Sequence, residues 1–380
     1  MLKKTKDQGA EETRQAFRFA DELGPAKIIH IYEPTTALKA VVVVDNVAAG
    51  PSIGGVRMAP DATTEECFRL ARAMTLKNAA AGLPHGGGKS VILADSKMPP
   101  SEKNKLIRAF ACSIRDLVDY IPGPDMGTDE RAMGIVKDEI GRAVGLPPEI
   151  GGIPLDEIGA TGFGVSVAAE VAEDFCDLAL KGARIAIQGF GSVGRHAARF
   201  LGEKGAVVVA VSDSRGSLAD PDGLDIAALT ALKQDGRSVT EHTQGTQADG
   251  DALIDADCDI WIPAARPDVI TMQNVSRLRA KLVIQGANIP VTAEAENYLH
   301  EQGVLSIPDF IANAGGVICG AVEYRGGTQT TAMQAIEEKI RSNTRSVLQS
   351  SRESGLAPRQ AAEDLALTRV RAAMALRRWS

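Results

Sequence analysis

The chain has 380 residues, too many for one ordinary hydrophobic core and suited to two domains. Hydrophobic residues make up 44% and charged residues 24%, a globular balance, and the formal net charge is −7. An acidic chain without a basic stripe is a poor ligand for nucleic acid, so no nucleic-acid partner is expected. No stretch of about eighteen uninterrupted apolar residues is present, so no membrane partner is expected either. Cys67, Cys112, Cys176, Cys258 and Cys319 are odd in number and widely spaced. That spacing fits neither a disulfide framework nor a zinc site, and no metal is expected. With a polar, signal-free start, the expected location is cytoplasmic.

Taken in chain order, residues 11–23 read as a short amphipathic helix, and 27–32 and 38–45 as strands. The run Val41-Val42-Val43-Val44 suits a central strand. A short strand is expected after a turn at Ile53-Gly54-Gly55. Thr63 and Glu66 have capping-box spacing, so a helix starts there, with Cys67, Leu70, Ala71 and Met74 on its apolar face. A Gly-rich turn, Gly86-Gly87-Gly88, leads through Lys89 into a strand at 90–94. Residues 101–120 read as a helix. The segment Ile121-Pro122-Gly123-Pro124-Asp125 reads as a loop, because proline breaks both helix and strand.

Alternation then begins. A helix is expected over 161–180, a strand over 184–188, a turn and helix over 189–205, and a strand over 206–212. This is a βαβ unit of a doubly wound sheet. Further strands are expected at 260–263, 282–285 and 304–307. The tail from about 330 to 378 reads as helical, with Met333, Ile336, Ile340 and Val347 on one face. The expected fold is therefore α/β with two domains. Residues 1–155, completed by C-terminal helices at 325–380, form a substrate-binding and oligomerisation domain. Residues 156–324 form a Rossmann-like dinucleotide-binding domain, and a ligand cleft is expected between the two.

Gly189-Phe190-Gly191-Ser192-Val193-Gly194 matches G-x-G-x-x-G between an expected strand and an expected helix. In that context the glycines allow the tight turn, the approach of a pyrophosphate and close helix–strand packing. The helix start offers free N–H groups to phosphate. Asp213 follows the next strand, where an acid commonly binds the ribose hydroxyls. It would repel a 2′-phosphate, whereas Arg215 could pair with one. The coenzyme is therefore NAD or NADP, with a lean to NAD.

Lys77 lies only about 20° from Leu70 on the helical wheel, so it falls on the apolar face beside Met74. A lysine there snorkels or serves a purpose. Lys89 follows the three glycines. That segment lacks the frame of a phosphate loop and precedes a strand rather than a helix. Two lysines near one pocket have a use: one holds a carboxylate, and the other, its pKa lowered, acts as a base. Asp125, in a Pro-Asp loop, is a candidate proton shuttle or a plain Asx turn.

At this point the chain resembles the glutamate, leucine, phenylalanine and valine dehydrogenase family, over about residues 30 to 325. The landmarks, in order, begin with Gly50-Pro51-Ser52-Ile53-Gly54-Gly55-Val56-Arg57-Met58, Met74-Thr75-Leu76-Lys77-Asn78-Ala79 and Gly86-Gly87-Gly88-Lys89. Asp125-Met126-Gly127-Thr128, Ala160-Thr161-Gly162 and the dinucleotide motif follow. Gly286-Ala287-Asn288 and Pro308-Asp309-Phe310-Ile311-Ala312-Asn313-Ala314-Gly315-Gly316-Val317 complete the set. The resemblance implies reversible oxidative deamination of an L-α-amino acid to a 2-oxo acid and ammonia, in a homo-oligomer. It implies that Lys77 binds the α-carboxylate, helped by backbone at Gly54 and Gly55. Lys89 would be the general base and Asp125 would exchange protons with the amino group. Thr161 and Asn288 would position the nicotinamide and its ribose, with Asn313 near the ring.

The sequence departs from the glutamate enzymes where they hold the side-chain carboxylate. Ile53 stands where they typically carry Lys, and Gly320 where they carry Ser. Burying a carboxylate without a cation is costly. The expected substrate is therefore apolar, resembling leucine, valine or phenylalanine. Glutamate is the alternative, with Arg57 or Lys39 supplying the cation. A non-catalytic nucleotide-sensing or structural paralogue is the alternative from another class.

Overall fold

The computed structural model describes residues 14–377. The described residues form two compact units: 14–79, 83–152 and 367–377 in the first, and 80–82 and 153–366 in the second. Of the helix expected at 11–23, residues 11–13 lie outside the described residues. Residues 14–16 are helical and a turn follows at once.

The first unit is built on a five-stranded sheet in the order β1-β2-β4-β3-β5. Its strands are β1 (Lys27–Glu33), β2 (Leu38–Asn46), β3 (Ser52–Met58), β4 (Gly86–Ile92) and β5 (Tyr120–Pro124). β1, β2 and β4 pair antiparallel, and β4, β3 and β5 run parallel. Strand alternation sorts the valines of β2 to two faces. Val42 and Val44 join the core with Ile107 and Phe110 of α2 (Pro100–Ser113) and Met133 and Val136 of α3 (Glu130–Ile140). Val41 and Val43 pack with Cys67 and Ala71 of α1 (Thr64–Ala80).

Three local expectations change. Gly54 and Gly55 lie inside β3, and Gly86, Gly87 and Gly88 inside β4, not in turns. Glycine is needed there for close approach: a Cβ at Gly54 would stand 1.6 Å from the Gly88 carbonyl oxygen, and one at Gly87 2.0 Å from the Thr75 nitrogen. The helix expected at 101–120 stops at Ser113. The loop expected at 121–125 is largely the strand β5. Its two prolines are tolerated because β5 is an edge strand, paired on one side only with β3.

The second unit is a seven-stranded sheet in the order β12-β11-β10-β6-β7-β8-β9. β6 (Arg184–Gln188), β7 (Val207–Asp213), β10 (Ile260–Pro263), β11 (Leu282–Ile284) and β12 (Leu305–Ile307) are parallel, as the alternation implied. β8 (Gly216–Ala219) and β9 (Thr246–Ala248) extend the sheet antiparallel. These two short strands carry little periodicity and are not legible in the sequence. The unit's helices include α4 (Ala160–Ala172), α5 (Ser192–Glu203), α6 (Ile226–Gln234), α7 (Ala293–Glu301), α8 (Asp309–Ala312) and α9 (Gly315–Tyr324).

The helical tail is two helices, α10 (Gln329–Ser354) and α11 (Pro358–Leu376). Gly355, at φ +72°, ends the first. α10 buries Ala332, Ile336, Ile340 and Val347, and it packs chiefly on α4 and α9. It therefore lies within the second unit, whereas the C-terminal helices at 325–380 were expected to complete the first. The first unit takes the tail only from residue 367. Hydrophobic spacing shows that a helix has an apolar face, not which sheet that face will cover.

Candidate active site

In the first unit, Lys89 points from β4 with only 6% of its surface exposed. Its Nζ lies 2.5 Å from Oδ2 of Asp125, just beyond β5. β3 runs between those strands, and Gly55 is its open position. A Cβ at Gly55 would stand 2.7 Å from Asp125 Cβ and 3.1 Å from Lys89 Nζ. Asp125 is held by a turn in which its N–H donates to Thr128 Oγ1 (3.0 Å), whose hydroxyl donates to the Val56 carbonyl (2.7 Å).

Arg57 of β3 adds a second cation. Its Nε donates to Asp125 Oδ2 (3.2 Å) and its Nη1 to Glu66 Oε1 (2.5 Å). Burial alone would push the Asp125 carboxyl up. Lys89, followed by Arg57, outweighs that and holds the carboxyl below the usual range. Asp125 is thus an ionised acceptor in contact with a lysine nitrogen, a geometry through which a proton can pass. Expected only as a cation for a substrate, Arg57 instead has its guanidinium held by two carboxylates. Lys39 is exposed on β2. Lys77 and Met74 are both half-buried on the last turns of α1, and Ile53 is buried in β3 at 5% exposure.

In the second unit, β6 delivers the chain to Gly189 at φ +94°, where a Cβ would strike Ala265. Gly191 is the N-cap of α5 and no side chain caps the helix. A Cβ there would meet nothing within 4 Å, which is the open space a pyrophosphate needs. Ser192, Val193 and Gly194 form the first turn, and a Cβ at Gly194 would stand 2.0 Å from the Gly189 carbonyl oxygen. A cavity of about 1000 Å³ opens beside this turn, lined by Gly189, Phe190, Gly191, Asp213, Arg215 and Lys233 among others. The residues present therefore fit a dinucleotide.

Asp213 is more engaged than its sequence position implied. Its Oδ1 accepts from the Arg215 N–H (2.9 Å) and the Ser238 hydroxyl (2.9 Å). Its Oδ2 accepts from Lys233 Nζ (2.8 Å) and the Val239 N–H (3.0 Å). A carboxylate has about four lone-pair sites, so this one is saturated. Burial raises its pKa, but these donors, Lys233 first, bring it below the usual range. Lys233 was missed; it sits in the last turn of α6, where its sequence context signals only a favourable helix end. The Arg215 side chain is mostly exposed and pairs with Glu241 at 3.1 Å.

Thr161, Asn288 and Asn313 lie outside the lining of that cavity. Asn313 Nδ2 donates to Asn288 Oδ1 (3.1 Å) and to the Ala287 carbonyl (3.1 Å), so the structure joins the two asparagines. Thr161, in the first turn of α4, faces the start of α9, where a Cβ on Gly316 would lie 3.4 Å from its hydroxyl. Gly320 is buried within α9.

A Rossmann-like sheet with an open glycine turn in one unit, and a lysine–carboxylate pair in the other, are the features of a two-domain dehydrogenase. A family model described as Glutamate/Leucine/Phenylalanine/Valine dehydrogenase matches residues 151–378, and that family's dimerisation domain matches residues 28–142. The chain belongs to this family of NAD(P)-dependent amino-acid dehydrogenases. It is 40% identical to the glutamate dehydrogenase of Aeropyrum pernix, over 88% of this chain and 85% of that protein. Its fold resembles the hetero-hexameric glutamate dehydrogenase of Thermus thermophilus in its leucine-bound form (TM-score 0.82, 27% identity, 98% and 97% coverage). It also resembles the L-tryptophan dehydrogenase of Nostoc punctiforme (TM-score 0.75, 25% identity, 96% and 99% coverage).

Proposed function

We propose that the chain catalyses the reversible oxidative deamination of L-glutamate to 2-oxoglutarate and ammonia with NAD or NADP. The observation that carries the chemistry is the Lys89–Asp125 contact at 2.5 Å. The identity of the substrate rests on 40% identity to a glutamate dehydrogenase. Lys77 holds the α-carboxylate, helped by the backbone of Gly54 and Gly55. Lys89 takes a proton from the water that attacks the carbon bearing nitrogen. Asp125 receives protons from the amino group and from Lys89 in turn. The bound coenzyme supplies the hydride acceptor for the substrate Cα–H. The glycine turn at Gly189–Gly194 holds its pyrophosphate, and Thr161, Asn288 and Asn313 position its nicotinamide half. Assembly as a homo-oligomer through the first unit and a cytoplasmic location belong to the same reading.

A second reading, an apolar amino acid, is favoured by one specific feature. Ile53 and Gly320 offer no polar group, and the Arg57 guanidinium already holds Glu66 and Asp125. The glutamate reading requires a cation that these positions do not supply.

Reductive amination decides between the two. With ammonia and each reduced coenzyme, 2-oxoglutarate is expected to give the highest kcat/KM. Turnover of 4-methyl-2-oxopentanoate or phenylpyruvate, with none of 2-oxoglutarate, would establish the apolar reading. Intact coenzyme binding without turnover of any 2-oxo acid would point to a non-catalytic paralogue.

A further inference from the structure

We propose that Arg359 and Asp309 form a buried positioning couple that sets the loop 286–290 and, through it, Asn288 and Asn313. This rests on the reading that those two asparagines serve the nicotinamide half of the coenzyme.

Arg359 stands at the start of α11, remote in sequence from every coenzyme motif. Its Nη2 donates to Gln285 Oε1 (3.0 Å) and to Asp309 Oδ1 (3.0 Å), and its Nε donates to Glu296. All three acceptor residues are buried. One guanidinium thus joins the end of β11, helix α7 and the start of α8. Its rigid planar fork presents donors in fixed, divergent directions to three acceptors at once, a geometry that the single compact ammonium of a lysine does not reproduce.

Asp309 carries the connection onward. Its second oxygen, Oδ2, accepts the Ile289 N–H at 2.8 Å, and its backbone carbonyl accepts the Asn313 N–H at 2.7 Å. One residue therefore fixes the backbone immediately after Asn288 and the backbone of Asn313. The side chains of those asparagines meet at 3.1 Å.

The loop needs such a hold. Ile289 adopts φ +49°, the left-handed region, which a β-branched residue avoids. Strain of this kind persists only where its surroundings over-determine it. Here Asp309 grips the Ile289 N–H, while the Ile289 carbonyl accepts the Asp268 N–H at 2.9 Å. A buried ion cluster is by itself weak grounds for stability. Its cation at the end of a chain of bonds leading to a strained coenzyme loop has a more specific use. Arg359 is a positioning residue: its guanidinium is engaged by Gln285, Glu296 and Asp309, and it acts through Asp309 on the two asparagines.

The test uses the full chain carrying Arg359→Lys, with Asp309→Asn as an independent second variant. Three quantities are read: deuterium exchange of the peptide spanning 286–291, the Kd of the reduced coenzyme by fluorescence, and the melting temperature. In both variants, exchange in that peptide is expected to rise while β6 and β7 stay protected. The Kd is expected to weaken by between about threefold and thirtyfold, as for other changes along a coupling network. Unchanged exchange and unchanged Kd in a folded variant, with only a lower melting temperature, would overturn the proposal and leave a purely structural ion cluster. Should one variant fail to fold, the other decides on the same two readouts. Neither readout needs an amino-acid substrate. If the wild type binds no nicotinamide coenzyme, the functional reading fails, while exchange at 286–291 still decides whether the couple sets the loop.

Discussion

Lys89 Nζ and Asp125 Oδ2 lie 2.5 Å apart across the gap left by Gly55, so the amine is matched to a proton acceptor within its own sheet. Its neighbour Arg57 completes a chain of charge from Glu66 through Asp125 to Lys89.

Replacing the amine tests its role directly. Lys89→Ala is expected to lower kcat by on the order of 10²–10⁴-fold, the usual worth of a general base. The coenzyme Kd should stay nearly constant, because the glycine turn is in the other unit. Steady-state kinetics beside a fluorescence titration measures both. Loss of coenzyme binding would mean Lys89 has a different task.

Gly55 is the position where one methyl group suffices. Gly55→Ala would place its Cβ 2.7 Å from Asp125 Cβ and 3.0 Å from the Pro124 carbonyl oxygen. Overpacking of this kind costs about 1–3 kcal/mol. The expected result is a lower urea midpoint together with lost turnover. Wild-type activity in Gly55→Ala would show that the pair tolerates displacement.

The acid limb of stability follows from Asp125. Its folded pKa is depressed below its unfolded value, so its contribution is present above the unfolded pKa, about 3.9. That contribution fades as pH falls through the folded value. Urea melts between about pH 6 and pH 3 should therefore show a shallower loss of stability in Asp125→Asn than in wild type. An unchanged acid limb would place the sensitivity on other carboxylates.

With Asp213 read as the residue that meets the coenzyme's ribose, coenzyme preference is expected to depend on Lys233. Its Nζ pairs with Asp213 Oδ2 at 2.8 Å and so offsets a charge that would repel a 2′-phosphate. Lys233→Ala is expected to weaken NADP binding more than NAD binding, by on the order of tenfold in the ratio of Kd values, the size of one screened charge pair. An unchanged ratio would remove Asp213 from coenzyme selection.

Much of this was legible in short-range patterns. The valine run of β2, the alternation after residue 180 and the glycine turn before α5 depend on neighbours within a few residues, and the sequence alone determined them. Pairings across the sheets did not follow from it. Lys89 meets Asp125 because β3 lies between β4 and β5 and carries glycine at the crossing, which strand order decides. Asp213 looked available for ribose until Lys233, Ser238 and Val239 closed around it from elements far along the chain. The helix α10 showed its apolar face in the sequence, yet only packing assigned it to the second unit. Periodicity records which way a side chain points from its own helix or strand. Its partner is set by the topology that brings distant segments together, and that is a property of the whole fold.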